Sequence, residues 1–355
     1  MNAKTRMNES VTSKPKILII YTGGTIGMIE NSITKALQPF DFSHLIDNVP
    51  KIKKLDYEID NIQFNPPIDS SNMSPRHWHD IARAIEERYD YYDGFVVLHG
   101  TDTMAFTASA LSFMLENLSK PVIITGSQLP IGEVRTDGEE NLITALQVAA
   151  ATDASGQAMV QEVAILFESH LWRGNRSTKM SADNFNAFKS NNYPELARIG
   201  LGLSFKEEAL YRSPSKRPLK VRYNMDSNVM FLVLNPGMTA NTLRYLLSTP
   251  DIKGIVLKTY GAGNSPSEPW FTDAIREAAE RDVVIVNVTQ CVNGSVQSQL
   301  YDTGNSLAKA GVISGYDMTS EAAITKMMYL FGMGLPPSSV KKYMQVAICG
   351  EVTIP

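Results

Sequence analysis

The chain has 355 residues, of which 43% are hydrophobic and 20% charged, with a formal net charge of -4 and a pI near 5.8. This is the balance of a soluble globular protein with enough chain for a sizeable core, and its length suits two domains. The mild acidity argues against nucleic acid or an anionic membrane as partner, and no apolar run approaches the roughly 20 residues of a membrane span. Two cysteines, Cys291 and Cys349, cannot build a disulfide framework. The polar opening Met1–Ser10 lacks the apolar stretch of a secretory signal, so a cytoplasmic location is expected.

Residues 1–15 read as a disordered polar leader. The run Ile17-Leu-Ile-Ile20 predicts a buried strand over Lys16–Tyr21, which ends abruptly at Thr22-Gly-Gly-Thr-Ile-Gly27. Gly23, Gly24 and Gly27 allow backbone conformations closed to other residues and a close approach by a ligand. Thr22 and Thr25 thus stand at a strand end, where open α/β sheets hold ligands. Pro66-Pro-Ile68 leads into Asp69-Ser-Ser71, and a helix is predicted over Pro75–Arg88, with Ser74 as N-cap and Pro75 in its first turn.

Strand Gly94–Leu98 then runs into His99-Gly-Thr-Asp-Thr103, followed by a helix over Thr103–Leu118. Strand Pro121–Thr125 ends in Gly126-Ser-Gln128, and helix Glu139–Ala151 precedes strand Glu162–Phe167, beyond which lies Arg173-Gly-Asn-Arg-Ser-Thr-Lys179. The alternation predicts an α/β domain over 16–205, mainly a parallel sheet with flanking helices. The polar, proline-bearing stretch Lys206–Arg222 lies in an expected linker over 206–226. A smaller C-terminal α/β domain is expected over 227–355. Its strands are Val229–Leu234, Gly254–Lys258 and Val283–Val288, and its helices are Thr239–Leu247, Pro269–Arg281, Asn305–Ala310 and Ser320–Phe331.

In a parallel sheet the strand ends share one edge, so their hydroxyl and carboxyl clusters should converge. Taken singly, each has a plain alternative: a threonine there caps the next helix, Asp102 caps the helix near Thr103, and Lys179 is a solvated charge. Together they form a chemical set. Thr25 offers a nucleophile that needs its proton removed, Thr101 a second hydroxyl as proton conduit, and a lysine held away from water can serve as base, a part open to Lys179. Asp69 and Asp102 suit an ammonium group, with Ser70 and Ser71 donating to a carboxylate. That describes a site for a small zwitterionic amino acid, with backbone N–H groups of the glycine turns holding an oxyanion.

At these residues the chain resembles the bacterial L-asparaginases, most closely their cytoplasmic type I. Thr22-Gly-Gly-Thr-Ile-Gly27 is similar to the family's first signature and His99-Gly-Thr-Asp-Thr103 to its second. Asp69-Ser-Ser71, Gly126-Ser-Gln128, Arg173–Lys179 and Asp317-Met-Thr-Ser-Glu-Ala-Ala323 match in order and spacing. The resemblance implies hydrolysis of L-asparagine to L-aspartate and ammonia, with weaker action on L-glutamine. Thr25 would form a covalent acyl-enzyme, with Thr101, Asp102 and Lys179 as the second catalytic group. Asp69, Ser70, Ser71, Thr101, Asp102 and Ser127 would bind substrate. It implies no cofactor and no metal, and a homotetramer built as a dimer of dimers.

Two positions depart from the family pattern. Relatives place a flap tyrosine about ten residues after the nucleophile; here Lys35 stands there, and Tyr301, in Gln299-Leu-Tyr-Asp-Thr303, could be supplied instead from the smaller domain or simply pack. Some type I enzymes bind asparagine at an effector site with an arginine and a Thr-Gln-Cys triplet. Thr289-Gln-Cys291 is intact, but Lys258 replaces the arginine and cannot give its planar bidentate grip.

Other readings fit less well. His77 and His79 are two apart on a helix and point to different sides, which disfavours a shared metal. The G-G-x-x-G spacing is not the dinucleotide G-x-G-x-x-G. A non-catalytic amino-acid-binding module would not need Thr25, Thr101 and Lys179 together. The ammonia-supplying subunit of a tRNA amidotransferase would be expected to carry an added N-terminal domain, for which about 16 leading residues leave no room.

Overall fold

The structure is a computed structural model and describes residues 14–30, 37–39, 49–213, 217–297 and 302–354. Among them, Lys35 and Tyr301 have no place; both lie outside the described residues. The larger sheet begins with β1 (Lys16–Tyr21) and β2 (Glu58–Gln63), continues through helix α1 (Pro75–Glu86) to β3 (Gly94–Leu98), and through α2 (Met104–Met114) to β4 (Val122–Thr125). Helix α3 (Gly138–Ala150) leads to β5 (Val163–Phe167), after which β6 (His170–Arg173), β7 (Thr178–Lys179), β8 (Phe188–Lys189), β9 (Ala197–Ile199) and β10 (Leu203–Phe205) follow.

The eight strands lie in the order β10-β9-β6-β5-β4-β3-β1-β2. From β2 to β5 every pairing is parallel; β5–β6, β6–β9 and β9–β10 are antiparallel. The chain leaves β1 for one neighbour, β2, and then crosses to the other, β3, so the direction of winding reverses between β1 and β3. Doubly wound sheets hold ligands in the crevice at such a reversal. The turns after these two strands are Thr22–Gly27 and His99–Thr103.

β1, β3, β4 and β5 are continuous apolar runs because helices cover both of their faces. Ile17, Ile19 and Tyr21 pack with Leu142, Ala145 and Leu146 of α3 on one side. Leu18 and Ile20 pack with Trp78, Ile81 and Ile85 of α1 and Leu111 of α2 on the other. β2 escaped the sequence reading because Glu58-Ile-Asp-Asn-Ile-Gln63 is an edge strand with mostly polar, partly exposed residues.

The helix expected over Thr103–Leu118 stops at Met114. Leu115 and Glu116 pair antiparallel with Val221 and Lys220, and Asn117 takes a left-handed φ of 63°. Part of the expected linker is therefore fastened to the larger domain.

The smaller sheet has the parallel order β11 (Val229–Val233), β12 (Gly254–Thr259), β13 (Val284–Thr289) and β14 (Ile313–Ser314). Helices α4 (Ala240–Leu247), α5 (Pro269–Glu280), α6 (Asp302–Lys309), α7 (Ser320–Gly332) and α8 (Pro337–Met344) accompany it. No helix among the described residues is long and apolar enough to cross a membrane.

The two sheets meet through α2 and α7. Phe113, 1% exposed, sits in the same cluster as Val256, Val286 and Met327 of the smaller domain and stacks on Tyr329 with ring centroids 5.9 Å apart. Phe113→Ala should lower the unfolding free energy by about 3–5 kcal/mol in denaturant titrations. A loss under about 1 kcal/mol would show that the domains do not lean on this ring.

Candidate active site

The crevice between β1 and β3 is built by close approach of backbone to backbone. Gly23, with φ 140°, lies so near Ile68 that a Cβ would fall 2.1 Å from its carbonyl oxygen. Gly24, with φ 93°, lies against the second turn, and a Cβ there would stand 2.5 Å from the Gly100 nitrogen. Only glycine tolerates both the backbone angle and the contact. Thr22 is buried and donates its hydroxyl to the Leu98 carbonyl at 2.8 Å, so it ties β1 to β3 and caps no helix. Thr25 opens the short turn Thr25–Gly27; its half-buried hydroxyl has no hydrogen-bond partner among the described residues. Of the two threonines, Thr22 is committed to the fold and Thr25 keeps its hydroxyl uncommitted.

The second turn carries a charged triad with Lys179. Lys179 Nζ donates to Thr101 Oγ1 at 2.9 Å and to Asp102 Oδ1 at 2.8 Å. The lysine is 19% exposed and the aspartate 64%, so the ammonium is sheltered while the carboxylate faces open space. Asp102 is not the cap of α2; that position belongs to Thr103, whose hydroxyl donates instead to the Ser70 carbonyl at 2.7 Å. Thr101 in turn donates to Gln128 Oε1 at 3.3 Å, and Gln128 Nε2 is held by the Asn184 carbonyl at 3.0 Å. Gln128 went unassigned in the sequence reading, although it stands in the Gly126-Ser-Gln128 cluster.

Asp69 accepts from the Ser71 amide at 2.9 Å and so caps the short turn Ser70–Asn72. Ser70 is buried beneath Gly100, where a Cβ would stand 2.5 Å from its hydroxyl. Ser127 is also buried and donates to the Leu129 carbonyl at 2.5 Å, which commits its proton to shaping its own loop.

His99, fully buried, anchors the second turn. Its Nδ1 lies 2.6 Å from the Gly100 carbonyl, an atom that can only accept, so Nδ1 carries the proton. Nε2 is then the acceptor for the Thr107 hydroxyl at 2.9 Å, and Thr107 accepts from the Trp78 indole at 3.0 Å. Burial drives the imidazole down to about 4, an effect only partly offset by the Gly100 bond. The neutral ring is a fixed brace.

A second cavity, of about 280 Å³, lies between the two sheets. Lys258, Thr289, Gln290 and Cys291 line it from the smaller domain, together with Asp317 and Glu321, and Arg176 and Thr178 line it from the larger one. Burial pushes the Glu321 carboxyl up, and its hydrogen bond from Thr178, the neighbour of Lys179, works in the opposite sense. Gln290 donates to the Leu234 carbonyl at 2.8 Å and the Lys258 carbonyl at 2.9 Å, so its amide is structural.

Fold and crevice together define a two-domain α/β protein with a hydroxyl-rich, charge-bearing cleft at its switch point. Residues 16–211 match the family model "Asparaginase, N-terminal", and residues 228–344 match "Glutaminase/Asparaginase C-terminal domain". The chain belongs to the asparaginase family.

It is 42% identical to L-asparaginase 1 of Escherichia coli K12, over 96% of this chain and 98% of that one. Among solved structures, L-asparaginase I from Vibrio cholerae superposes with a TM-score of 0.88 at 40% identity, covering 96% of this chain and all of the other. The thermostable L-asparaginase from Thermococcus kodakarensis gives 0.86 at 33% identity, over 95% and 99% of the two chains.

The buried neutral His99 has a consequence for acid stability. Its native pKa of about 4 lies below the unfolded value of 6.5, so its contribution is complete above about pH 6.5 and is lost as pH falls toward 4. At pH 5 this group alone should cost about 2 kcal/mol relative to pH 7. The difference in urea midpoint between those pH values should shrink in His99→Gln; an unchanged difference would refute the brace.

Proposed function

We propose that the chain hydrolyses L-asparagine to L-aspartate and ammonia, with weaker action on L-glutamine, at the crevice between β1 and β3. The observation that carries this reading is the Lys179 ammonium bridging the Thr101 hydroxyl and the Asp102 carboxylate, on the turn whose Gly100 packs against Gly24, the chain neighbour of Thr25. Family membership and the relatives named L-asparaginase support the substrate.

In this reading Thr25 Oγ1 attacks the side-chain amide carbon of the substrate. Lys179, once in its neutral amine form, takes the threonine's proton through Thr101 and passes it to the departing nitrogen, which leaves as ammonia, and an aspartyl ester remains on Thr25. Water, deprotonated by the same pair, then attacks the ester and restores the threonine. The exposed Asp102 carboxylate and Asp69 hold the substrate ammonium, and Ser70 and Ser71 its carboxylate. Backbone N–H groups of the glycine turns would hold the oxyanion, a contribution of about 3 kcal/mol for each donor. An enzyme of this kind with two unpaired cysteines fits the cytoplasm, and we infer a homotetramer by the same family likeness.

The second cavity supports an added role as an effector site for an amino acid. It joins a cation, Lys258, to the Thr178–Glu321 bond beside Lys179. Rate plotted against asparagine should then be sigmoid, and Lys258→Met should make it hyperbolic; a hyperbolic wild-type curve would contradict the effector role.

Thr25→Ala should keep its fold, checked by circular dichroism, and lose turnover by at least about 10³-fold in an ammonia-release assay. Activity within tenfold of wild type would sink the assignment. Asp102→Ala removes a charged partner of the substrate ammonium and should raise KM for asparagine by about 10- to 100-fold; an unaltered KM and kcat would remove it from the site.

A further inference from the structure

After α8 the chain does not trail away but turns back on itself around a buried charge. Lys326, on α7, and Glu351 are both 0% exposed and pair at 2.5 Å. The ammonium also donates to the Val346 carbonyl at 2.6 Å and the Met344 carbonyl at 3.3 Å. The Glu351 carboxylate accepts in addition from the amides of Ile348, at 3.0 Å, and Cys349, at 2.8 Å. Each charge is therefore surrounded by hydrogen bonds, the condition under which a buried pair is tolerated and its geometry becomes specific. The chain from Met344 to Glu351 is wound into a tight hook.

The hook presents its carbonyls to the larger domain. The Cys349 carbonyl accepts from Asn175 at 3.1 Å, and the Gly350 carbonyl from Arg176 Nε at 2.8 Å and Arg173 Nη1 at 3.3 Å. Three residues on, the Thr353 hydroxyl accepts from Arg176 Nη2 at 2.9 Å, and the Thr353 amide donates to Asp317, which pairs with Arg176 at 2.9 Å.

All of these partners except Asp317 stand on the segment that runs from Arg173 to Lys179. That segment is buried from Arg173 to Ser177 and closed on itself by the Ser177 hydroxyl donating to the Arg173 carbonyl at 2.7 Å. Asn175 and Arg176 lie within this short, packed turn, four and three residues before Lys179.

We propose that the hook over Ile348–Thr353 is a positioning element for catalysis. Fastened by Lys326 and Glu351, it sets the Arg173–Lys179 segment so that the Lys179 ammonium meets Thr101 and Asp102. The proposal rests on the catalytic reading of Lys179 given above, and Glu351, Gly350 and Thr353 act only through that residue.

The experiment compares Gly350→Ala, Thr353→Val, Thr353→Ser and Lys179→Met with the wild-type full chain, using kcat, KM and the pH profile of kcat for asparagine, with melting temperature as the folding control. At Gly350, with φ 80°, a methyl group would fall 2.5 Å from Arg173 Nη1 and push the hook off its seat. Gly350→Ala should lower kcat by about 10- to 100-fold, with KM held within about twofold and the pH profile displaced. Thr353→Val should lower kcat in the same sense, and Thr353→Ser, which keeps the hydroxyl, should restore it.

If Gly350→Ala does not fold, the exposed Thr353 pair decides the matter. Wild-type kcat in both Gly350→Ala and Thr353→Val, or equal losses in Thr353→Val and Thr353→Ser, would overturn the proposal while leaving the catalytic reading intact. Normal turnover in Lys179→Met would overturn both.

Discussion

A methyl group on Gly24 would stand 2.5 Å from the amide nitrogen of Gly100, and one on Gly100 would stand 2.5 Å from the Ser70 hydroxyl. Three turns, belonging to three separate stretches of chain, are thus stacked against one another at the mouth of the sheet with no room for a further methyl group. Everything at the crevice depends on this contact. It brings the turn that carries Thr25 up to the turn that carries Thr101 and Asp102, with no side chain at Gly24 or Gly100 to hold them apart. The sheet supplies the direction, because β1 and β3 are parallel neighbours and their turns leave the same edge. The glycines supply the distance.

Around that contact the polar groups divide into two kinds. Thr22, Ser127, Thr103 and His99 spend their hydrogen bonds on backbone carbonyls and hold the turns in place. Lys179 and Asp102 face one another, and the Thr25 hydroxyl is left uncommitted. A low-dielectric brace beneath an open charged mouth lets one site be rigid and accessible at once, the condition for preorganised catalysis. The same division extends outward: the Arg173–Lys179 segment is braced from below by the C-terminal hook, and the cavity holding Lys258 and Glu321 lies beside it.

Much of this was legible in the sequence. Ile17-Leu-Ile-Ile20 and Phe95-Val-Val-Leu98 announce strands covered on both faces, and the hydroxyl clusters that follow them mark the crevice. What was not legible has physical causes. Glu58–Gln63 is an edge strand whose pairing with β1, not its side chains, makes it a strand. Helix α2 ends early because Leu115 finds a partner at Val221, more than a hundred residues on. That Thr22 is spent on the fold could not be read from spacing; the Thr22–Leu98 bond shows it. Lys326 and Glu351 look like surface charges until the chain closes around them.

The central claim is that Thr25 carries the substrate's acyl group between two half-reactions. The most direct measurement is an acid quench during steady-state turnover of asparagine, followed by proteolysis and mass mapping of the peptides. The account predicts an ester-linked aspartyl adduct on the peptide holding Thr25, removed by hydroxylamine as the aspartyl hydroxamate. An adduct on any other residue, or rapid turnover with no adduct and no hydroxamate, would contradict it.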